Sequence, residues 1–233
     1  MSCMFSDSWL IWVVGAYVCG ATSFALLLGK LRGVDVRQVG SGNVGATNAG
    51  RVLGRKWGVI CFLLDVLKGL VPVLAGGITL GYVRSAESSP ILTNVEQCKW
   101  LTICAAAVMG HVFSFWLRFK GGKGVATSFG ALLGVWPILT LPSVIALLVW
   151  GLVVKVSRYI GLASVIAAVS LPLAAAIGSW INHDDPLKFG PMILVSSLLA
   201  LLVVWRHRGN LARIAAGTEP KLGQSKTPES ASS

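Results

Sequence analysis

Long apolar runs limit what this sequence can fold into more than any other feature. A helix needs about 20 consecutive apolar residues to cross the hydrocarbon core of a bilayer. The 233-residue chain is 55% hydrophobic and only 12% charged, and its mean hydropathy is +0.75. A soluble domain of this size needs more polar side chains to cover its surface. Runs of spanning length lie at about 9–29, 57–82, 100–116, 159–180 and 189–205.

The interval 125–154 is also apolar and holds two prolines near its middle. Pro137 and Pro142 favour two helices, 125–136 and 138–154, because proline removes a helical donor and clashes with the preceding turn. With seven spans, sixteen of the twenty Lys and Arg residues lie on one side of the membrane. Since these residues concentrate on the cytoplasmic side, we predict one all-α integral membrane domain of seven transmembrane helices. Its N-terminus is outside and its C-terminus is cytoplasmic.

Charge and cysteine content exclude other classes of protein. A net charge of +11 would suggest a nucleic-acid partner in a soluble chain, but the charge asymmetry of membrane proteins accounts for it here. No basic helix or aromatic-basic platform lies outside the predicted spans, so no nucleic acid is expected. The five cysteines form no CxxC pair and are predicted to be small hydrophobic residues, not a disulfide framework. Residues 221–233 are predicted to be a disordered tail.

The segment from Gly40 to Arg51, GSGNVGATNAGR, is the first candidate site. A loop rich in glycine can turn its backbone N–H groups onto an anion, and arginine adds a forked cation suited to phosphate. Twelve patterned residues are more than a simple connection between two spans needs. We therefore predict an anion site at the membrane surface. Its candidate residues are Gly40, Ser41, Gly42, Asn43, Thr47, Asn48 and Arg51.

The same segment matches the dinucleotide-binding pattern GxGxxG through Gly40, Gly42 and Gly45, and Asp65 lies twenty residues further on. We reject this interpretation. No strand precedes the loop, and Asp65 lies inside a predicted span, so neither the βαβ unit nor the ribose contact is available. Asp65 and Lys68 are instead three residues apart on one helix face, which favours a structural ion pair.

The second candidate segment runs from Gly110 to Thr127 and contains the turn RFKGGKG. It is not a Walker A loop, because Leu117 stands where the first glycine is required. Lysines are flexible point charges that hold phosphate, and glycines let backbone amides approach it. A basic cytoplasmic turn would explain the lysines but not three glycines. His111 fits a ligand or a structural histidine equally well. The candidate binding residues are His111, Lys120, Gly121, Gly122, Lys123 and Gly124.

The third candidate segment, from Trp205 to Gly223, follows the last span. His207 and Asn210 are three residues apart, so they share a face of a continuing helix. Glu219 could tie the tail to a basic loop. The arginines of this segment are explained by a basic cytoplasmic tail. His183, Asp184 and Asp185 are adjacent in a loop on the outer side, so a metal site is not predicted there.

These three segments together resemble the PlsY family of bacterial acyl-phosphate:glycerol-3-phosphate acyltransferases. The match includes GSGNVGATNAGR, FKGGKGVAT preceded by GH, HRGNLARIAAGTEPKLG, the DVLKG around Asp65 and Lys68, and KVSRYIGLAS at 155–164. Gly161 departs from the VSLAS that the family often has. The resemblance implies a seven-helix membrane fold at the bacterial cytoplasmic (inner) membrane, with an active site on the cytoplasmic side.

The resemblance also implies the reaction and the roles of residues. A fatty acyl group passes from acyl phosphate to the sn-1 hydroxyl of glycerol 3-phosphate, giving lysophosphatidic acid and phosphate. Ser41, Arg51, His207 and Asn210 would be catalytic, and Lys120 and Lys123 would serve glycerol 3-phosphate. Ser157 and Arg158 would join the substrate-binding set, while Asp65, Lys68 and Glu219 would be structural. No cofactor, metal or obligate protein partner is expected; the partners are the two substrates and the lipid bilayer.

Two questions stay open from the residues alone. The proton of the attacking hydroxyl could pass to His207 or to a phosphate oxygen of a substrate. A covalent acyl-Ser41 route is disfavoured, because nothing local to Ser41 could act as its base. The alternative function is a transporter for a phosphorylated metabolite, but transporters bind near the midplane and often have two related halves. Here the cations gather at one boundary and the sequence shows no repeat.

Overall fold

The computed structural model describes residues 8–83, 92–181 and 186–224, with the backbone alone at 186–188. The described residues form helices and connecting turns, and no strand occurs among them. A 3₁₀ turn, Phe115–Leu117, follows the fifth α-helix. The α-helices are α1 Ser8–Ala21, α2 Phe24–Leu31, α3 Ala46–Leu53, α4 Arg55–Thr79, α5 Asn94–Val112, α6 Val125–Leu133, α7 Thr140–Ser157, α8 Ile160–Ile181 and α9 Pro186–Ala215.

Six helical stretches in the described chain are long and apolar enough to cross a membrane. The first combines α1 and α2, and the others are α4, α5 with its 3₁₀ turn, α7, α8 and most of α9. The interval 125–154 holds two helices, α6 and α7. At nine residues, α6 is roughly 14 Å long and is too short to span a bilayer by itself. Pro137 lies between the two helices, and Pro142 lies in the first turn of α7, where a helical donor is not needed.

The break between α1 and α2 is held by side chains from two other helical segments. Helix ends leave carbonyl groups without helical partners. Lys68 on α4 donates to the carbonyl oxygen of Thr22 at 2.7 Å, and Ser114 after α5 donates to that of Ala21 at 2.7 Å. The predicted ion pair is present, since Lys68 Nζ lies 2.7 Å from Asp65 Oδ1. Lys68 therefore neutralises a buried carboxylate and closes an open helix end at once.

Glycines let the helices that carry the site pack at short range. A Cβ on Gly69 of α4 would lie 2.3 Å from the carbonyl oxygen of Thr127 on α6. A Cβ on Gly110 of α5 would lie 2.1 Å from that of Tyr17 on α1. Close approach through small residues is how membrane helices associate without a hydrophobic driving force. It places the start of α6 beside Asp65.

Two sequence predictions fall wholly or partly outside the described chain. The loop with His183, Asp184 and Asp185 lies there. Of the predicted disordered tail, 225–233 lies outside the described residues, whereas 221–224 contacts the turn between α7 and α8.

Candidate functional site

A polar cavity of about 430 Å³ lies where the loop before α3, the start of α6 and α8, and the end of α9 meet. Its volume is in the range of sites for small organic ligands. Twelve of the residues predicted from the sequence line it: Ser41, Gly42, Asn43, Thr47, Arg51, Asp65, His111, Lys123, Gly124, His207, Asn210 and Glu219. Eight others lie outside its lining: Gly40, Asn48, Lys68, Lys120, Gly121, Gly122, Ser157 and Arg158.

The loop before α3 is shaped by Asn48, which is fully buried. Its Oδ1 accepts from the backbone N–H of Ser41 at 2.8 Å. Its Nδ2 donates to the carbonyl oxygens of Val36 at 2.8 Å and Val39 at 3.1 Å. Gly40 packs on the same amide with a φ of +70°, a conformation that favours glycine. Asn48, predicted to bind substrate, thus has its polar atoms engaged with the loop, and Gly40 makes room for it.

Helix α3 points its N-terminus at the cavity. Gly45 is its N-cap, and Gly45, Ala46 and Thr47 line the cavity. The first N–H groups of a helix have no helical partners and carry a partial positive charge, so this end favours an anion. Arg51 lies one turn after Thr47, so both project from one face. The positive end of the α3 dipole and the Arg51 guanidinium therefore lie on the same wall of the cavity.

The turn KGGKG folds back onto the end of α5. The N–H groups of Gly121 and Gly122 donate to the carbonyl oxygens of Val112 and His111, each at 3.1 Å. A Cβ on Gly122 would lie 2.2 Å from His111 Nε2, so the imidazole and this turn pack in direct contact. From α9, Arg206 Nη2 donates to the carbonyl oxygens of Gly121 at 2.9 Å and Gly122 at 3.0 Å. The clamped turn directs Lys123 into the cavity.

Lys123 begins a chain of hydrogen bonds that ends on α9. Its Nζ donates to Oδ1 of Asn210. The Nδ2 of Asn210 donates to Glu219 Oε1 at 2.7 Å, and Arg213 Nε donates to Glu219 Oε2 at 2.7 Å. A carboxylate can only accept and an ammonium can only donate. The orientation of the Asn210 amide is therefore fixed by its two neighbours.

Lys123 is the titratable cation of this group. The pKa of Lys123 is lowered from 10.5 to about 8, mainly by burial; the positive charges of Arg213, Arg206 and Arg51 contribute to the decrease, and Glu219 opposes it. The Lys123 side chain is half-buried. A phosphate in the cavity would favour the protonated ammonium, because an opposite charge stabilises the charged form.

His207 lines the cavity with one ring nitrogen already engaged. Its Nδ1 lies 2.8 Å from the carbonyl oxygen of Val203, one turn earlier on α9. A carbonyl oxygen only accepts, so Nδ1 carries the hydrogen, and Nε2 is the acceptor in the neutral ring. The neutral imidazole can therefore accept a proton or a hydrogen bond at Nε2.

Asp65 and His111 form the deep wall of the cavity. Both are buried, and His111 Nδ1 lies 3.9 Å from Asp65 Oδ1. Asp65 was predicted to be structural, and its ion pair with Lys68 agrees with that role. It also lines the cavity, where its charge is offset by Lys68.

A second, apolar pocket of about 70 Å³ lies between α6, α7, α8 and α9. Phe62, Val125, Trp150 and Ser164 line both spaces, so the polar cavity and the apolar pocket adjoin. At this junction Trp150 Nε1 donates to Ser164 Oγ at 3.3 Å, and Ser164 Oγ donates to the carbonyl oxygen of Ile160 at 2.8 Å. The combined space suits a molecule with a charged head and an apolar chain.

Sequence reasoning missed several residues of the site. Arg206 and Arg213 were assigned to a basic tail, and Trp150 and Ser164 were not singled out, yet all four line the cavity. Arg206, Asn210 and Arg213 are spaced by four and three residues, which places them on one helix face. That spacing could have identified the two arginines. No comparable signal marks Trp150, which lies within an unbroken apolar run.

Comparisons with known proteins agree with this arrangement. The family described as glycerol-3-phosphate acyltransferase matches residues 10–217. The glycerol-3-phosphate acyltransferase of Desulforamulus reducens is 39% identical over 216 residues, covering 92% of this chain and 96% of the relative. The glycerol-3-phosphate acyltransferase of Trichlorobacter lovleyi is 42% identical over 213 residues, covering 91% of this chain and 97% of the relative.

Two crystal structures of PlsY, an integral membrane glycerol 3-phosphate acyltransferase, share the fold. The glycerol 3-phosphate form is matched with a TM-score of 0.78 and 34% identity, covering 93% of this chain and 96% of that one. The lysophosphatidic acid form is matched with a TM-score of 0.75 and 33% identity over the same shares of both chains. The all-helical membrane fold predicted from the sequence is confirmed.

Proposed function

This chain belongs to the glycerol-3-phosphate acyltransferase family, and we propose that it uses acyl phosphate to acylate the sn-1 hydroxyl of glycerol 3-phosphate. The products are lysophosphatidic acid and inorganic phosphate, the first step of bacterial phospholipid synthesis. The single observation that carries the proposal is the shape of the site. A cationic cavity adjoins an apolar pocket, with four side chains shared between their linings, which suits a phosphorylated acyl donor and a phosphorylated acceptor.

The charge of the cavity supports two phosphorylated substrates. Four cations line it: Arg51, Lys123, Arg206 and Arg213. Its two carboxylates each have a cation, Lys68 at 2.7 Å from Asp65 and Arg213 at 2.7 Å from Glu219. Two phosphates in one cavity repel each other strongly unless cations and amides offset them. Arg51 and Lys123 are the cations left to meet them.

We infer two phosphate-binding areas within the cavity. One combines Ser41, Thr47 and Arg51 with the first N–H groups of α3. The other combines Lys123 with Gly124 at the start of α6. Loss of a phosphate ligand raises KM for the substrate that it holds. The substrate whose KM rises most in Arg51→Ala, and the one whose KM rises most in Lys123→Ala, therefore assign each area to one substrate.

The bond changes need little from the protein beyond position and charge. The hydroxyl oxygen attacks the acyl carbonyl carbon, an ester C–O bond forms, and the bond between that carbon and the phosphate oxygen breaks. The phosphate leaves with the electron pair, and the hydroxyl proton passes to a base and then to phosphate. Because the mixed anhydride is already activated, holding the hydroxyl against the carbonyl is the main task. Nε2 of His207 and a substrate phosphate oxygen are the two bases within the cavity.

The membrane placement follows the charge asymmetry of the sequence. We propose seven transmembrane segments, one of them formed by α6 together with the turn 134–139 that follows it. The N-terminus is outside and the cavity is on the cytoplasmic side of the bacterial inner membrane. In this placement the polar cavity lies at the headgroups and the apolar pocket extends into the hydrocarbon region. The acyl chain would then stay in apolar surroundings throughout the reaction. No metal, cofactor or obligate protein partner is required by these steps.

A donor comparison tests the proposal. The purified protein in lipid vesicles is given labelled glycerol 3-phosphate with acyl phosphate, acyl-CoA or acyl-carrier protein in turn. We expect lysophosphatidic acid from acyl phosphate alone. Product from acyl-CoA or acyl-carrier protein without acyl phosphate would exclude the proposed donor, and absence of product from all three would exclude the function.

A further inference from the structure

The chain beyond α9 turns back towards the cavity as a strap, residues 216–224. Gly217 ends the helix with a φ of +69°. The N–H groups of Thr218 and Glu219 both donate to the carbonyl oxygen of Arg213, at 2.8 and 3.1 Å. A left-handed glycine that redirects the chain and pairs the last carbonyls is a common helix end. The strap therefore starts from a fixed point on α9.

The far end of the strap is bound to the turn between α7 and α8. The N–H of Leu222 donates to the carbonyl oxygen of Arg158 at 2.8 Å, and Arg158 Nη2 donates to that of Leu222 at 2.9 Å. Lys221 Nζ lies 5.6 Å from the ring centre of Tyr159. Arg158 has a φ of +61°, a conformation that few residues other than glycine adopt. The carbonyl group and the guanidinium of Arg158 thus both bind the strap to the turn between α7 and α8.

Between these two anchors the strap delivers Glu219 to the cavity wall. Glu219 is buried, and each of its carboxylate oxygens accepts a hydrogen bond from α9, one from Asn210 and one from Arg213. Asn210 in turn accepts from Lys123. An unbroken series of contacts therefore leads from Arg158, which lies outside the cavity lining, to Lys123, which lies within it.

We propose that Arg158 is a positioning residue that clamps the strap and so holds Glu219 against Asn210, which orients Asn210 towards Lys123. The sequence predicted a different role, direct binding of substrate by Arg158. The contact with Leu222 assigns its guanidinium to the strap instead. The value of this positioning for acyl transfer rests on the proposed function, but the effect of the strap on Lys123 does not.

The charges around Lys123 decide in which direction its pKa should change when the strap is released. Glu219 faces it from the strap and favours the ammonium, whereas Arg51 of α3 and Arg206 and Arg213 of α9 oppose it. His207 of α9 is its remaining titratable neighbour. Releasing the strap removes the single carboxylate that favours the charged form, so the pKa of Lys123 should fall below about 8. General loosening that lets water in would raise it instead.

The experiment measures the pH dependence of amine acetylation at Lys123 by mass spectrometry, in the full-length protein in lipid and without substrate. Arg158→Ala removes one of the two hydrogen bonds to Leu222, and Leu222→Pro removes the other by deleting the N–H. Lys155→Ala, an exposed cation one turn earlier on α7, is the matched control, and Leu222→Ala controls for the proline.

We expect the midpoint for Lys123 to move to lower pH in Arg158→Ala and further in the double variant Arg158→Ala/Leu222→Pro. Glu219→Gln should move it in the same direction, and the two controls should leave it in place. In the acyl transfer assay, run well below the labelling midpoint so that Lys123 is charged in every variant, Arg158→Ala should lower kcat about tenfold with KM for either substrate nearly unchanged. Arg158→Lys should recover part of kcat.

Three outcomes would overturn the proposal. These are an unchanged midpoint in the double variant, a midpoint that rises towards 10.5, and a rise in KM with kcat preserved, as a lost substrate ligand would give. If Arg158→Ala does not fold, Leu222→Pro against Leu222→Ala carries the same test. Because labelling needs no substrate, a wild-type protein without acyltransferase activity would refute the proposed function while the labelling result still decides the role of Arg158.

Discussion

Lys123 and Asn210 lie 87 residues apart in the chain, yet the ammonium of the first donates to the amide oxygen of the second inside the cavity. This contact joins the start of α6 to the end of α9, two polar segments that α7, α8 and most of α9 separate in the sequence. Each partner is positioned by a further contact. Arg206 holds the glycine turn that carries Lys123, and Glu219 accepts a hydrogen bond from Asn210. The geometry of the site therefore depends on groups that do not all line it.

Replacing Asn210 should damage both stability and catalysis. Asn210→Ala leaves Glu219, which is buried, without one of its two donors. An unsatisfied buried polar group costs about 1–3 kcal/mol, so the Tm should fall. A misplaced Lys123 should lower kcat roughly 100-fold. The measurements are thermal unfolding in detergent and steady-state kinetics.

Asn94→Ala, an exposed residue in the first turn of α5, serves as the control for Asn210→Ala. It should change neither Tm nor kcat. A variant at 210 with wild-type Tm and kcat would show that the hydrogen-bonded chain from Lys123 to Glu219 has no energetic role.

The protonation of Lys123 should determine how KM for its substrate depends on pH. The pKa of Lys123 is about 8 in the free site because burial opposes its charge. Below that pH the ammonium is present and holds a phosphate; as pH rises through it, the charge is lost. KM for the substrate held by Lys123 should therefore rise above about pH 8, while Lys123→Arg, which stays charged, should show a flat profile. Identical pH profiles of KM in the two proteins would rule out Lys123 as the phosphate ligand.

The role of His207 can be read from the pH dependence of kcat. With Nδ1 donating to Val203, Nε2 is the ring atom available as a base. If His207 takes the hydroxyl proton, kcat of the wild type falls at low pH as the ring is protonated, and this limb is missing in His207→Ala. A variant that keeps the wild-type limb assigns the proton to a substrate phosphate oxygen.

The apolar pocket should set the acyl chains that the protein accepts. Ala167 lines this pocket and is almost fully buried. Ala167→Phe fills part of the space, so kcat/KM should fall most for the longest acyl phosphates and least for the shortest. Val169→Phe, two residues on and 43% exposed, faces away from the pocket and provides the control. Equal losses across all chain lengths would show that the chain lies elsewhere.

How far the sequence predicts this molecule can be judged from single residues. Ser41, Arg51, Lys123, His207 and Asn210 were all predicted, and all line the cavity. Ser41, Arg51 and Lys123 were recognisable because polar groups in glycine-rich breaks between apolar runs have few structural reasons to be there. His207 and Asn210 were singled out by their shared helix face, and the family resemblance supplied their role. The ion pair of Asp65 and Lys68 followed from helix periodicity in the same way.

Other features depend on tertiary contacts that periodicity does not report. Asn43 and Asn48 belong to the same glycine-rich segment of the sequence, but Asn48 lies in α3 and its amide holds the backbone of the preceding loop. Lys120 and Lys123 are three residues apart, yet Lys120 is exposed and Lys123 faces the cavity, because Gly121 and Gly122 reverse the chain between them. Arg158 could not be assigned to the strap until the position of Leu222 was known.

The most direct test of the account is acyl transfer from acyl phosphate to labelled glycerol 3-phosphate by Arg51→Ala, Lys123→Ala and the exposed control Lys56→Ala. All three proteins should insert into membranes and purify like the wild type, because the hydrogen bonds of Glu219 with Asn210 and Arg213 remain when either cation is removed. We expect at least a ~100-fold loss of kcat/KM in the first two, since each removes a charge that stabilises phosphate in the transition state, and wild-type activity in Lys56→Ala. Full activity in either Arg51→Ala or Lys123→Ala would contradict the central claim that these two cations converge on the reacting phosphates.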